Sequence, residues 1–288
     1  MLAKRIVKMF FSNKEYPFAM LINIAIVLAL FVMFLGDQAA NNMEFLLGFE
    51  LEGAESIVIG VVFGGLLGII CTSACLGALQ IIVEDWEKAA KDFHVSPVSR
   101  AAISRGYLGG SIAIGIMTTL AGVILCLVYM AIMGGGIPTI AAMVKLVITV
   151  VLSSTATTTF LYFIIVCINS PHRFNSFSNI FGILIGFLMG VYVPIVMFPD
   201  FLQLLVRLFP LAHSASMFRS LLADDKLAVL FQGAEPGSLE LFRNAFGLTF
   251  DFGTFTSDFM MSAVYLAIST VVFYVLSVII VKKRVTHE

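Results

Sequence analysis

Long runs without a charged side chain constrain this 288-residue chain more than any other feature. A helix that crosses the hydrocarbon core of a bilayer, roughly 30 Å thick, needs about 20 apolar residues. The charge-free runs are Pro17–Leu35, Ile57–Val83, Gly106–Val144, Leu146–Ser170, Phe174–Pro199 and Phe259–Val281. The third run is too long for one helix and is divided at Gly134–Pro138. The sequence therefore predicts an all-α, polytopic membrane protein, with a single domain over residues 1–288 and spans at about 17–36, 57–83, 107–133, 140–168, 176–198 and 258–281.

The overall composition agrees with a membrane protein. Apolar residues make up 60% of the chain and charged residues 12%, whereas soluble domains carry about 25% charged residues. The net charge of −1 gives no reason to expect a nucleic-acid partner.

Loop charges predict the orientation in the membrane, because lysine and arginine are enriched in cytoplasmic loops. With an even number of spans, the N-terminal arm, the second and fourth loops and the C-terminal tail lie on one side. Those segments hold Lys4, Arg5, Lys8, Lys14, Lys88, Lys91, Arg100, Arg105, Arg173, Lys282, Lys283 and Arg284. The first loop on the other side, by contrast, carries only acidic charges. Both termini are expected in the cytoplasm.

Segments flanking the spans have their own patterns. Residues 4–16 mix basic and large apolar side chains, which favours an amphipathic helix in the inner membrane interface; a simple positive anchor is the alternative. After the fifth span, prolines at 194, 199 and 210 divide an apolar stretch that also contains Asp200, Arg207 and Arg219. This pattern favours two short amphipathic helices at the outer face that re-enter the membrane.

Small residues recur every four positions in the second and fifth spans. Such stripes lie on one helix face and allow close backbone approach in lipid. They favour either packing within the chain or a dimer seam or moving pathway face, and Asn23 is a further polar candidate for the pathway. The candidate residues are Asn23, Gly60, Gly64, Gly68, Thr72, Gly182, Gly186 and Gly190. Cys71 and Cys75 share a helix face, but without further ligands they indicate buried small side chains, and no metal site is expected.

A charged segment from Glu84 to Arg100 separates the second and third spans. On a helix over Glu84–Phe93, the apolar side chains of Trp86 and Phe93 share one face with Ala89 and Ala90, and charged residues occupy the rest. Such a helix suits a groove on a soluble partner, or it lies with its apolar side on lipid head groups. Ser96-Pro-Val-Ser99 then ends it.

This segment resembles the cytoplasmic signature of type-2 ABC transporter permeases, which runs from a charged helix to a Ser-Pro-Val-x-Arg sequence, here Ser96–Arg100. The family's usual Gly-Thr is replaced by Ala89-Ala90. The basic N-terminal arm, the proline-divided stretch that leads to Phe218-Arg219, and six spans with both ends inside are also similar to that family.

The resemblance implies the permease subunit of an ATP-driven ABC exporter in the plasma membrane, which is not itself an enzyme. Its expected partners are a cytoplasmic ABC ATPase, a second permease copy (homodimer or close paralogue) and membrane lipid. No Gly-x-x-x-x-Gly-Lys-Ser/Thr sequence is present to bind nucleotide phosphates, so ATP and Mg are expected on the partner and no cofactor on this chain. The residues expected to contact the ATPase are Glu84, Asp85, Trp86, Lys88, Lys91 and Phe93.

Several alternatives stay open. A secondary transporter or channel usually carries an acidic residue or a broken-helix site within its spans, and no acidic residue falls inside a predicted span, since Asp258 stands at the first position of the last one. An intramembrane enzyme is disfavoured because all four histidines fall outside the predicted spans. A non-transporting subunit of an ATPase complex would use the same charged helix. The Phe-rich membrane domain favours hydrophobic or amphipathic cargo such as drugs, peptides or lipid-linked glycans.

Overall fold

The computed structural model describes residues 2–30, 41, 55–94, 100–132, 138–232, 237–253 and 255–285. For residues 30, 55–56, 86–94, 100–101 and 284–285 it describes the backbone alone. The described part is almost entirely helical. Its helices are α1 (Leu2–Ser12), α2 (Glu15–Leu30), α3 (Glu55–His94), α4 (Arg100–Ile132), α5 (Ile140–Ile168), α6 (Pro171–Leu188), α7 (Asp200–Leu208), α8 (Pro210–Leu230), α9 (Ser238–Ala245) and α10 (Phe259–Val285). A short antiparallel hairpin, β1 (Phe250–Asp251) and β2 (Thr256–Ser257), precedes α10.

Four of the described helices are long and apolar enough to cross a membrane. They cover Ile57–Asp85, Ala102–Ile132, Ile140–Ile168 and Phe259–Lys283, close to the predicted second, third, fourth and sixth spans. Helices α7 and α8 form a fifth candidate crossing, bent by 81°, which is either a broken span or a re-entrant loop. The chain is thus a multi-pass, all-α membrane protein.

The described helices cover only part of the predicted first and fifth spans. Helix α2 covers the first part of span 17–36, and residues 31–36 lie outside the described residues, as does most of the predicted break at 134–138. The prediction of one helix over 176–198 is wrong, because α6 ends at Leu188. The reason is local: Gly190 adopts φ +60°, a left-handed conformation that glycine tolerates, and Pro194 follows four residues later.

The expectation of two short amphipathic helices after α6 also needs correction. Helix α7 is short, with 9 residues, but α8 runs for 21 residues and is buried over most of its length. It continues past Arg219 to Leu230 and is therefore not a short helix.

Helix α3 lies at the centre of the described fold. Its described side chains, over residues 57–85, are buried on nearly every side, as Phe63, Leu79 and Ile82 at 0% exposure illustrate, and α2, α4, α5 and α8 pack against it. A helix that is apolar on every face is suited to this position. Helix α10 has the opposite character, since apolar side chains such as Ile268, Val271 and Ile279 are exposed along it and provide a surface suited to lipid.

The glycine stripe of α3 packs within the chain. A Cβ atom at Gly60 would lie 2.7 Å from the Leu222 carbonyl oxygen, and one at Gly68 would lie 2.9 Å from the Ala215 Cβ; one at Gly64 would meet the Arg219 backbone. All three neighbours belong to α8. The geometry therefore supports packing within the subunit for this stripe, and α8 already covers the face that a dimer seam would need.

This close packing predicts opposite results for two glycines in helix interiors. Gly64→Ala forces α3 and α8 apart and should destabilise the protein by about 1–3 kcal/mol. Gly182→Ala on α6 meets no atom within 4 Å, so it should leave stability unchanged or raise it through better helix propensity. Thermal unfolding of the two detergent-solubilised variants measures the difference, and equal midpoints would contradict this packing.

Candidate coupling site and membrane cleft

Two adjacent carboxylates, Glu84 and Asp85, bind three other helices at the end of the span in α3. The Tyr16 hydroxyl on α2 donates to Glu84 Oε2 (2.7 Å). Asp85 Oδ1 accepts from Arg5 Nη2 on α1 (2.9 Å), and its Oδ2 accepts from the Tyr107 hydroxyl on α4. We call Glu84, Asp85, Arg5, Tyr16 and Tyr107 the acidic anchor. Through it, α3 is fixed to α1, α2 and α4 at one face of the membrane domain.

Burial makes the Asp85 interactions strong. The Asp85 side chain is only 4% exposed, whereas that of Arg5 is 44% exposed. The carboxylate is therefore shielded from water, while the guanidinium is still partly hydrated. Hydrogen bonds to a charged group contribute more than neutral ones. The hydrogen bond with Glu84 raises the pKa of the Tyr16 phenol, which lies just before the predicted first span, to about 12, so the bond to Glu84 stabilises the protonated phenol.

Helix α1 reaches the anchor because it packs closely on α4. Its apolar face is buried through Ile6 and Phe10, while Lys4, Arg5 and Lys8 are exposed. A Cβ at Gly110 of α4 would lie only 2.8 Å from the Ile6 Cβ, so a glycine is needed there. The basic amphipathic segment expected at the N-terminus is thus a helix whose apolar face packs on the protein.

Beyond the anchor, the backbone of α3 continues as a helix to His94. The sequence predicted a helix over Glu84–Phe93, and it is an uninterrupted extension of the span. The side chains of Trp86, Lys88, Lys91 and Phe93 lie outside the described residues. The prediction that these four contact an ATPase stays a prediction, while Glu84 and Asp85 are placed in contacts within the chain.

A cleft with a volume of about 410 Å³ lies between α2, α3, α4 and α6. Its polar lining consists of neutral amides and hydroxyls, and none of its described lining residues is charged. These polar residues are Asn23, Ser73, Gln80, Thr118, Ser178 and Asn179. The volume falls within the range of small-molecule sites, about 300–1,000 Å³.

The amides of the cleft have no partner in the described part of the chain. Asn23 and Asn179 are exposed and Gln80 is half-buried, and no hydrogen bond of the described residues involves their side chains. An unpaired amide facing hydrocarbon costs several kcal/mol. These side chains therefore need water, a ligand or another chain opposite them.

The predicted pathway residues are only partly brought together by the structure. Asn23 and Gly182 line the cleft. Thr72 does not, because it is 1% exposed and its hydroxyl donates to the Gly68 carbonyl (3.0 Å). Gly186 packs against the Tyr192 ring, and Gly190 forms the turn after α6.

Sequence reasoning missed Gln80 and Asn179 as members of the cleft. The available signal was an amide within or at the end of a charge-free run, the same signal that singled out Asn23. The prediction that Cys71 and Cys75 are buried small side chains is confirmed, because both are 0% exposed. The Cys71 Sγ lies 3.6 Å from the Ser154 Oγ on α5.

Comparison with protein families assigns this arrangement of helices. Residues 48–279 match the family model described as ABC-2 family transporter protein. The chain belongs to the ABC-2 transporter family. The match includes α3 with its extension, α4 to α9 and most of α10. A comparison with curated proteins gave no match.

An ABC-2 protein of this kind is the membrane component of an ABC transporter. Family membership supports a permease and implies an ABC ATPase as its partner. In this ABC-2 chain, helices α2, α3 and α4 both line the cleft and meet in the acidic anchor.

Proposed function

We propose that the chain is the permease subunit of an ATP-driven exporter, and that the helical extension of α3 receives the movement of a separate cytoplasmic ATPase. The subunit works as a pair, with a second copy or a close paralogue, in the plasma membrane and with both termini in the cytoplasm. It crosses the membrane six times, with α2 and α6 as the shorter crossings.

The observation that carries this proposal is the link between the anchor and the cleft. On α2, Tyr16 of the anchor and Asn23 of the cleft are two turns apart, about 10 Å along the helix axis. On α3, Gln80 of the cleft precedes Asp85 by five residues. A force on the α3 extension would move these helices together, because the anchor joins them, and would thereby change the width of the cleft.

The lining of the cleft supports an amphipathic, uncharged substrate. Amides and hydroxyls can bind neutral polar groups, while Ile24, Ile70 and Ile183 provide an apolar wall. A cationic or anionic substrate would find no counter-charge among the described lining residues, and burial of an unpaired charge is costly. Neutral drugs and peptides, and the uncharged sugars of glycans, have the matching chemistry.

The first test concerns the α3 extension. Trp86→Ala with Phe93→Ala should leave membrane insertion intact but abolish the stimulation of the co-purified ATPase by transport substrates, because the aromatic side chains are the expected partner contacts. ATP hydrolysis and ATP-dependent uptake of the neutral amphiphile Nile red are measured in inside-out vesicles. Normal uptake by this double variant, or purification without any ATPase, would contradict the proposal.

The second test concerns the cleft. Asn23→Leu with Asn179→Leu should reduce Nile red uptake by roughly thirtyfold, since each of the two lost hydrogen bonds costs about 1 kcal/mol, while thermal stability is retained because both side chains are exposed. The matched control is Asn175→Leu, which replaces an exposed amide one turn away on α6, outside the cleft. Uptake that falls equally in the control and in the double variant would argue against the cleft.

A further inference from the structure

A second cavity lies between α4, α5 and α10, away from the cleft described above. Its volume is about 260 Å³, and its lining combines cations, hydroxyls and apolar side chains. The lining residues are Ser104, Arg105, Leu108, Tyr162, Tyr274, Ser277, Val278, Val281 and Lys282. We call it the basic cavity.

The basic cavity opens at the membrane face that carries the acidic anchor. Arg105 lies near the start of the span in α4, two residues before Tyr107 of the anchor. Lys282 lies near the C-terminal end of α10, where the membrane span of that helix ends at Lys283. The apolar residues Leu108, Val278 and Val281 continue from this end into the spans. The cavity is therefore cationic at the membrane surface and apolar toward the bilayer interior.

A buried hydroxyl points to a ligand in this cavity. The Tyr162 side chain is 3% exposed. The Ser104 hydroxyl faces the Tyr162 oxygen as a donor, but no described residue accepts the proton of the Tyr162 hydroxyl. Buried polar groups of native proteins are nearly always satisfied by protein, water or ligand. The free proton of the Tyr162 hydroxyl therefore has room for an acceptor that belongs to a ligand in the cavity, which Tyr162 and Ser104 both line.

We propose that the basic cavity binds the phosphate of an anionic membrane phospholipid. Arg105 and Lys282 supply the positive charge, Tyr162 donates a hydrogen bond to a phosphate oxygen, and the lipid chains lie along Leu108, Val278 and Val281. Basic pockets between membrane helices are suited to anionic head groups. Because the cavity lies between α4, α5 and α10, the bound lipid would contact three membrane-crossing helices. This proposal does not depend on the proposed export activity.

The test uses the full chain, purified in a neutral detergent and stripped of lipid. Phosphatidylglycerol, phosphatidylcholine and inorganic phosphate are added separately, and thermal unfolding and native mass spectrometry are recorded. We expect phosphatidylglycerol to raise the unfolding midpoint by roughly 5 °C at a hundredfold excess over its Kd, with one lipid retained per subunit. Equal stabilisation by phosphatidylcholine would contradict the proposed preference for an anionic lipid. Equal stabilisation by inorganic phosphate would contradict the proposal that the bound phosphate belongs to a lipid.

Variants assign the binding to the cavity. Arg105→Gln with Lys282→Gln should lose most of the shift, and Tyr162→Phe, which preserves the volume of the side chain, should weaken binding by roughly tenfold. The matched control, Arg173→Gln with Lys283→Gln, removes the same charge from exposed positions outside the cavity. Undiminished binding to Tyr162→Phe, or an equal loss in the control pair, would overturn the proposal.

Discussion

Replacement of Asp85 by alanine is expected to separate ATP hydrolysis from transport. The change removes the acceptor for Arg5 and Tyr107 and detaches α3 from α1 and α4 at the membrane face. Loss of the hydrogen bonds to this buried carboxylate should cost about 2–3 kcal/mol of stability. Nile red uptake should fall roughly tenfold, within the usual range of coupling free energies, while the ATPase continues to hydrolyse ATP.

Single changes in the partners of Asp85 should have smaller effects. Tyr107→Phe removes one donor but leaves Arg5 in place, and Arg5→Ala removes a partner that is nearly half exposed, so solvent compensates in part. Asp225→Ala, at an exposed acidic residue of α8, serves as the control for charge. Uptake by Asp85→Ala at the level of this control would show that the anchor does not transmit movement.

Replacement of Arg219 by leucine is expected to have the largest effect on stability. The Arg219 side chain is 2% exposed on α8, and its guanidinium donates to four backbone carbonyl groups. These are Met189 (2.8 Å), Gly190 (2.9 Å), Val61 (3.3 Å) and Gly247 (3.4 Å). The group thus joins α8 to α3, to the turn after α6 and to the loop before β1, and it lies at the C-terminus of α6, where a cation is favoured.

Arg219→Leu leaves the Met189, Gly190 and Gly247 carbonyls buried without this donor, each at a cost of about 1–3 kcal/mol, whereas the Val61 carbonyl keeps its partner within α3. The variant should therefore unfold at a much lower temperature or fail to accumulate. Arg219→Lys retains the charge but has a single nitrogen, which cannot reach all four acceptors, so its stability should be intermediate. Arg173→Leu, at an exposed arginine, should be close to wild type in the same thermal unfolding assay. A stable Arg219→Leu protein would contradict a stabilising role for this group.

The sequence predicts the crossings that depend only on length and hydropathy. The membrane spans within α3, α4, α5 and α10 lie close to their predicted bounds, because a charge-free run flanked by charged residues has few alternatives in a membrane. The sequence failed after α6, where an apolar run continues past Leu188 but Gly190 and Pro194 turn the chain. Hydropathy does not register that turn.

The site depended on contacts between distant segments, which periodicity does not reveal. The stripe of Gly60, Gly64 and Gly68 was recognisable, but only the structure identifies α8 as its neighbour. Asn23 was a pathway candidate from the sequence and lines the cleft, while its role in a pathway stays a prediction; Gln80 and Asn179 became evident once α2, α3 and α6 were placed together. Asp85 was noted for its charge, and its burial against Arg5 and Tyr107 could not be read from the sequence.

The most direct measurement is the distance across the cleft in response to nucleotide. Spin labels are attached to Asn23→Cys and Asn179→Cys in a Cys167→Ser background, because Cys167 is the exposed one of the four native cysteines. Distances are recorded for the complex with its ATPase, with and without a non-hydrolysable ATP analogue. We expect the analogue to change the distance in the protein with an intact anchor and to leave it unchanged in Asp85→Ala. The same nucleotide-induced change in both proteins would contradict coupling through the acidic anchor.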